Sequence, residues 1–205
     1  MIGLRHIASR IVNQIATPTV HIGMVGEVTP TSLPLSIQKL ISSGLSQIGM
    51  DGGPQPDLAT KWEATDSGRT YVFTIAENAR WHDGKPVVAK DINYNIRDVT
   101  FVVDSPYAIR ATLKEPFTPF LTLVSKPILL TGLKGFGVFR VGSVRLKGDT
   151  IGTLRLEPVA GQTTPAREYR FYRTESAAIL AFESGDIDIL EDLSASEIFT
   201  NWKNA

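Results

Sequence analysis

Residues 66–92 constrain the fold of this chain more than any other stretch, because they set a turn, an alternating strand, a second turn and a helix start in fixed order. Asp66-Ser67-Gly68 is a turn signal, since Asp and Ser bond back to the backbone and Gly accepts the turn dihedrals. Tyr71, Phe73 and Ile75 then alternate with Val72 and Thr74, the period of a strand with one aromatic-rich face. Asp83-Gly84 is a second turn, because Gly takes positive φ at little steric cost. Asp91 falls in the first turn of an expected helix carrying Ile92, Ile96 and Val99 on one face, where a carboxylate complements the helix dipole.

The remaining periodicity extends this alternation of short strands and helices. Val20 to Val25 reads as a strand, followed by the Thr29-Pro30-Thr31-Ser32-Leu33-Pro34-Leu35 loop. Ile37, Leu40, Ile41, Leu45 and Ile48 fall at helical spacing, and Gly49 to Gly53 ends that helix. Val99, Phe101 and Val103 alternate, Asp104-Ser105-Pro106 turns, and Tyr107, Ile109, Ala111 and Leu113 alternate again as a hairpin. A strand is expected at Phe139-Arg140, paired with strands near Val144 and Leu154–Leu156. Tyr169 to Tyr172 is another strand. Thr174 is an expected N-cap, Ala178, Ala181 and Phe182 line one helix face, and Gly185 is the C′ residue. Asp186-Ile187-Asp188-Ile189 alternates as a strand with both isoleucines toward the core. Ser194 and Glu197 form a capping box, so a helix is expected to start near Ala195.

Composition narrows the classes open to such a chain. Its 205 residues are 42% hydrophobic and 20% charged, which favours a globular fold over disorder. The 21 basic and 21 acidic residues cancel, and no basic stripe appears, which argues against nucleic acid as a partner. With no cysteine, disulfides, thiol chemistry and a lipoprotein cysteine are excluded within these residues. No apolar run reaches transmembrane length. Met1 to Ala16 places Ile7, Ile11, Val12 and Ile15 at helical spacing, with Arg5, His6 and Arg10 between. Ser9, Asn13 and Gln14 break the apolar run, so a surface or packing helix is favoured over a signal sequence. A natural start further upstream is the third reading.

Candidate chemistry is sparse. His82 beside Asp83 sits in a turn, and His6 and His21 stand at no ligand spacing, so a structural role is favoured over a base or a metal site. Asp186 and Asp188 point to one face of their strand, where paired carboxylates can do acid–base work, yet the solvent side of a half-buried strand is the simpler reading. No G-x-S-x-G phrase accompanies the serines. Gly135 and Gly137 precede a strand and not a helix, unlike a phosphate-binding loop. Trp62, Trp81 and Phe73 form either a stacking platform or, the favoured reading, part of a core, with both tryptophans buried. These residues give no enzyme constellation and no cofactor site.

Three phrases in this order resemble a known family. Pro56-Asp57-Leu58-Ala59-Thr60-Lys61-Trp62-Glu63, then Asp66 to Ile75, then Trp81-His82-Asp83-Gly84-Lys85-Pro86-Val87-Val88-Ala89-Lys90-Asp91-Ile92 are similar to the words of the family 5 extracellular solute-binding proteins, the oligopeptide- and dipeptide-binding receptors of ABC importers. Pro116 to Leu121 and Gly135 to Arg140 resemble later phrases of the family, as does the helix before Gly185-Asp186. Departures are Val88 where the family has Thr or Ser as a cap, Val138 for a Pro, and a lost Asp in the "L-D-P" word near Leu33-Pro34. A longer insertion found in most members after the Asp91 helix is also missing.

The resemblance implies a mixed α/β (α+β) fold: a class II periplasmic-binding-protein-like lobe with an inserted α+β subdomain and the second lobe absent. Residues 1–44 and 131–205 would be the two parts of lobe I, and 45–130 the inserted subdomain. Trp62, Trp81, His82, Asp83, Gly84, Asp91, Gly135 and Gly137 would be structural motif residues. Carrying over the family's extended strand that offers backbone groups to a peptide lands on Leu35, Ser36, Ile37 and Gln38. The acidic residue that pairs with a peptide's amino terminus belongs to the second lobe. The implied role is ligand capture for an ABC permease outside the cytoplasm, with a peptide or other small solute, no metal or cofactor, and membrane association only through an anchor outside these residues. The chain is thus expected to be the N-terminal part of a longer receptor. A sensor or envelope module and a hydrolase on the same scaffold are the rival classes.

Overall fold

The alternation at 70–75 becomes a strand whose Tyr71, Phe73 and Ile75 are buried while Val72 and Thr74 face outward. Around it the computed structural model describes residues 18–193. In chain order the elements are β1 (Thr19–Val25), α1 (Leu35–Ile41), β2 (Ser46–Ile48), β3 (Pro54–Pro56), β4 (Ala59–Thr65), β5 (Thr70–Ile75), β6 (Val99–Ser105), β7 (Ala108–Leu113), α2 (Phe120–Leu123), β8 (Phe139–Lys147), β9 (Thr150–Pro158), β10 (Ala166–Tyr172), α3 (Glu175–Glu183) and β11 (Ile189–Glu191). A mixed five-stranded sheet runs β11-β1-β10-β9-β8, an antiparallel four-stranded sheet runs β4-β5-β7-β6, and β2 pairs with β3. This is the mixed α/β architecture expected.

Two sets of buried side chains hold these sheets. One gathers residues from Leu45 to Ile128, centred on Phe73, Ile75, Trp81, Ile109 and Phe120. The other draws on Ile22, Met24, Ile37 and Ile41 from the early chain and on Phe139, Leu154, Leu156 and Tyr169 from the late chain. Each fully buried Phe, Leu or Ile contributes roughly 1.5–3 kcal/mol, so either set amounts to a substantial core. Among the described residues no helix is long and apolar enough to cross a membrane.

Several local expectations hold. The hairpin at 99–113 forms as β6 and β7, with Ile109, Ala111 and Leu113 buried. Thr174 caps α3, its Oγ1 accepting from Ala177 N at 3.3 Å, and Gly185 lies just past the helix at φ 77°. Pro119 precedes the short helix α2.

Others are corrected. The helix expected through Ile48 stops at Ile41, because Ser42 turns extended and its Oγ donates to Ile128 O; Ser46–Ile48 is a strand. The helix expected from Asp91 to Val99 is a single 3-10 turn at Ala89–Asp91. Ile92 leaves it in extended conformation, Asp98 takes φ 61°, and Val99 opens β6 instead. Of the three residues expected to line one face of α3, Ala178 and Ala181 are buried and Phe182 is exposed. The strand expected from Asp186 begins only at Ile189. Asp188 Oδ2 accepts the His21 N–H at 2.8 Å, which clasps this stretch to β1, buries Ile187 and leaves Ile189 exposed. The helices expected at Met1–Ala16 and near Ala195 lie outside the described residues.

Candidate ligand-binding edge

In sheets with parallel strands, ligands bind beyond the strands' carboxyl ends. Here β1 runs parallel to both β10 and β11, with Val25 opposite Tyr172 and Met24 opposite Glu191, so three carboxyl ends share one edge. The sequence fits this arrangement. Val20, Ile22 and Met24 of β1 and Tyr169 and Phe171 of β10 pack into the early–late core. Gly26 ends β1 at φ 137° and its N–H donates to Tyr172 O at 2.8 Å, which pins the two ends together.

The next residues in each chain direction carry opposite charge. Arg173 Nε stands 3.2 Å from Glu27 Oε1, and both side chains are largely exposed. A shallow cleft of about 170 Å³ opens beside them, lined by Glu27, Lys147, Thr150, Tyr172 and Arg173. Ile151 N donates to Val28 O at 2.7 Å and closes the loop after β1 onto β9. Glu191, at the end of β11, has its carboxyl pushed up by burial, with Arg167 opposing. The arrangement offers a carboxylate and two cations at an open rim. An exposed pair of this kind is worth about 0–1 kcal/mol, so either member is readily recruited by a ligand's own charge. No nucleophile–base pair stands at the cleft, and among the described residues no cluster of His, Cys, Asp and Glu has the arrangement of a metal site.

The residues carried over from the family lie one loop away and in a different conformation. Leu35, Ser36, Ile37 and Gln38 form the first turn of α1, so their backbone is not an extended strand open to a peptide. Gln38 N already donates to Pro34 O at 2.9 Å and Gln38 O accepts from Ser42 N. Ile37 is fully buried, Gln38 Nε2 donates to Leu33 O, and Leu35 and Ser36 face solvent. Pro34, at φ −52°, is compatible with starting the helix here. No local pattern in the sequence marks Glu27 or Arg173; the one available signal is Gly26, a turn residue directly after the β1 strand.

The motif residues at 81–84 and 134–137 form a separate structural lock. Trp81 packs edge-on against Phe136 with ring centres 5.3 Å apart. His82 N donates to Gly135 O at 2.9 Å, and His82 Nε2 donates to Gly137 O at 3.0 Å. Lys134 Nζ meets Asp83 Oδ2 at 2.7 Å, and that hydrogen bond holds the Asp83 carboxyl below its ordinary range. Gly84 supplies the turn at φ 83°. On the other side, Gly137 N donates to Ile41 O at 2.7 Å. A Cβ on Gly137 would stand 2.6 Å from Leu40 O, and one on Gly135 nearer still to Ile41 O, so both positions need glycine. Trp62 is only partly buried and tilts against Phe73 at 6.4 Å, while the ring contact of Trp81 is with Phe136. No three-ring platform exists.

Comparison with known proteins agrees with this geometry in fold and locally in sequence. Residues 53–101 match the model of the bacterial extracellular solute-binding proteins, family 5 Middle. The dipeptide-binding protein DppE of Bacillus subtilis is 46% identical over 54 residues, which is 26% of this chain and 10% of that protein. The oligopeptide-binding protein OppA of the same organism is 43% identical over 51 residues, 25% of this chain and 9% of that protein. In structure, NikZ from Campylobacter jejuni in complex with Ni(L-His) superposes with a TM-score of 0.70 at 21% identity, over 91% of this chain and 46% of that one. A nickel ABC transporter structure from Bacillus halodurans gives 0.73 at 19% identity, over 88% and 44%. The chain therefore spans less than half the length of the solved structures it resembles. The matched segment 53–101 contains the Trp81 turn but neither Glu27 nor Arg173.

Proposed function

We propose that this chain, whose residues 53–101 match the family 5 extracellular solute-binding model and whose fold is that of periplasmic-binding-protein-like structures, supplies one ligand-facing lobe of an ABC importer's receptor. In this reading residues 1–44 and 131–205 make the lobe and residues 45–130 an inserted unit. The ligand is held between the β1/β10 edge and a second lobe that closes over it, and is passed to permease subunits outside the cytoplasm. The single observation that carries the reading is the open Glu27–Arg173 pair at the carboxyl ends of two parallel strands. It favours a small solute with charged ends, such as a short peptide, whose carboxylate meets Arg173 or Lys147 and whose ammonium meets Glu27. Leu35 and Ser36, exposed at the start of α1, would form the outer wall. Nothing in this arrangement calls for bond-breaking chemistry, a metal or a cofactor.

The test is calorimetry of the receptor containing this lobe with a pool of tri- and tetrapeptides and, separately, with neutral sugars. Peptides are expected to bind and sugars not to. A charge-assisted hydrogen bond contributes about 1.5–3 kcal/mol, so Arg173→Gln and Glu27→Gln are each expected to weaken peptide binding about tenfold or more. Equal binding by wild type and both variants would remove this edge from the site, and sugar binding in place of peptide binding would overturn the ligand class.

A further inference from the structure

The four-stranded sheet carries a second cleft, away from the β1/β10 edge. It lies at the open end of the β6–β7 hairpin, has a volume of about 600 Å³, and falls in the range that holds a drug-sized ligand. Its floor is Leu113 and the fully buried Phe120; Ile96 and Val99 form one side. Phe117 and Leu123 form the other and remain 45% and 42% exposed. Val99 is held opposite Leu113 in the hairpin, and Lys114 N donates to Asp98 O at 3.0 Å. Phe120 N donates to Phe117 O at 3.0 Å. These bonds hold the backbone on both sides of the cleft.

Four charged side chains stand at the rim: Arg97, Asp98, Lys114 and Glu115. Arg97 and Asp98 answer each other at 3.6 Å. Glu115 lies in the field of Arg69, whose guanidinium is pushed up first by its bond to Asp66 and in smaller part by Glu115. Among the described residues no carboxylate pairs with Lys114. An apolar trough whose mouth carries an ammonium that no carboxylate pairs, beside a carboxylate that feels Arg69 only from a distance, is complementary to an apolar body whose negative end seats on that ammonium.

We propose that this cleft binds an amphiphilic monocarboxylate, its hydrocarbon body against Phe117, Phe120 and Leu123 and its carboxylate on Lys114. The site is independent of the import reading, because it shares no residue with the β1/β10 edge.

The experiment titrates octanoate, and octanol as the neutral body of equal length, into the full chain by calorimetry, with light scattering in parallel. Octanoate is expected to saturate at one site and to bind about tenfold or more tighter than octanol. Lys114→Glu is expected to remove that preference, and Leu123→Asp to abolish binding of both. Leu146→Asp, at another exposed apolar position, is expected to change nothing. Melting curves matching wild type confirm that these surface variants are folded; should Leu123→Asp melt early, Phe117→Ser takes its place. The proposal is overturned by absence of saturation, by equal binding of octanoate and octanol, or by equal loss in Leu146→Asp. A concentration-dependent doubling of mass that Leu123→Asp abolishes also overturns it, and would make the cleft a contact between copies.

Discussion

The indole Nε1 of Trp81 donates to Asp91 Oδ2 at 3.0 Å, and the same oxygen accepts the Val88 N–H at 3.2 Å. Trp81 is 3% exposed, so this carboxylate satisfies a donor that water does not reach. Removing it leaves the indole unpaired, at a cost of about 1–3 kcal/mol. Asp91→Ala is expected to lose that amount in urea unfolding, and Asp91→Asn less, since an amide oxygen still accepts. Trp81→Ala, which opens a cavity as well, is expected to cost about 3–5 kcal/mol. An unchanged midpoint in Asp91→Ala would show that the bond is not formed in solution.

Gly135 and Gly148 separate close approach from backbone conformation. A Cβ at Gly135 would press on Ile41 O, whereas Gly148, at φ 64° in the β8–β9 turn, has open space around it. Gly148→Ala therefore pays only the left-handed penalty, about 1–2 kcal/mol. Gly135→Ala must displace backbone and is expected to cost about 3 kcal/mol, the upper end for overpacking. Thermal unfolding of the two variants gives the order, and the reverse order would refute the packing described for residues 135–137.

Two aspartates are expected to shift the pH dependence of stability in opposite directions. Burial pushes the Asp57 carboxyl above its ordinary 3.8, with the Ser43 hydroxyl partly opposing. Its contribution thus favours the fold at acid pH and is lost as pH rises from 3.8 through the raised value. The His21 N–H holds Asp188 below 3.8, so its contribution is present above 3.8 and is lost as pH falls through the lowered value. Melting curves from about pH 3 to pH 7 are expected to show Asp57→Asn gaining on wild type as pH rises, and Asp188→Asn losing. The same sign for both would contradict the assigned environments.

Glu27 and Arg173 are expected to matter little to folding. Their pair is exposed, so Glu27→Gln and Arg173→Gln should each change unfolding free energy by no more than about 1 kcal/mol. A larger loss in denaturant titration would mean that any binding defect of these variants reports on the fold.

What the sequence makes legible is local. The two-residue period at 71–75 and the Thr174 and Gly185 helix ends need only nearest neighbours, and they form as read. The spacing of Ile92, Ile96 and Val99 suits a helix equally well, yet the chain there is loop and strand. Asp91, which a helix would keep at its amino end, is taken up by Trp81. Gly135 and Gly137 are recognisable as a turn before a strand, but the need for glycine comes from Leu40 and Ile41, far off in the chain. The candidate edge is hidden for the same reason: it exists only once Thr19–Val25 aligns with Ala166–Tyr172. No pattern within either segment states that register.

The peptide 134–137 touches both buried sets at once, Phe136 against Trp81 on one side and Gly137 N on Ile41 O on the other. A swing of one set relative to the other would have to break the Trp81, His82 and Asp83 contacts together with the Ile41 bond. The peptide 134–137 is therefore a seam common to the two buried sets, so a side chain added at Gly135 or Gly137 would loosen the join between them and not the interior of either.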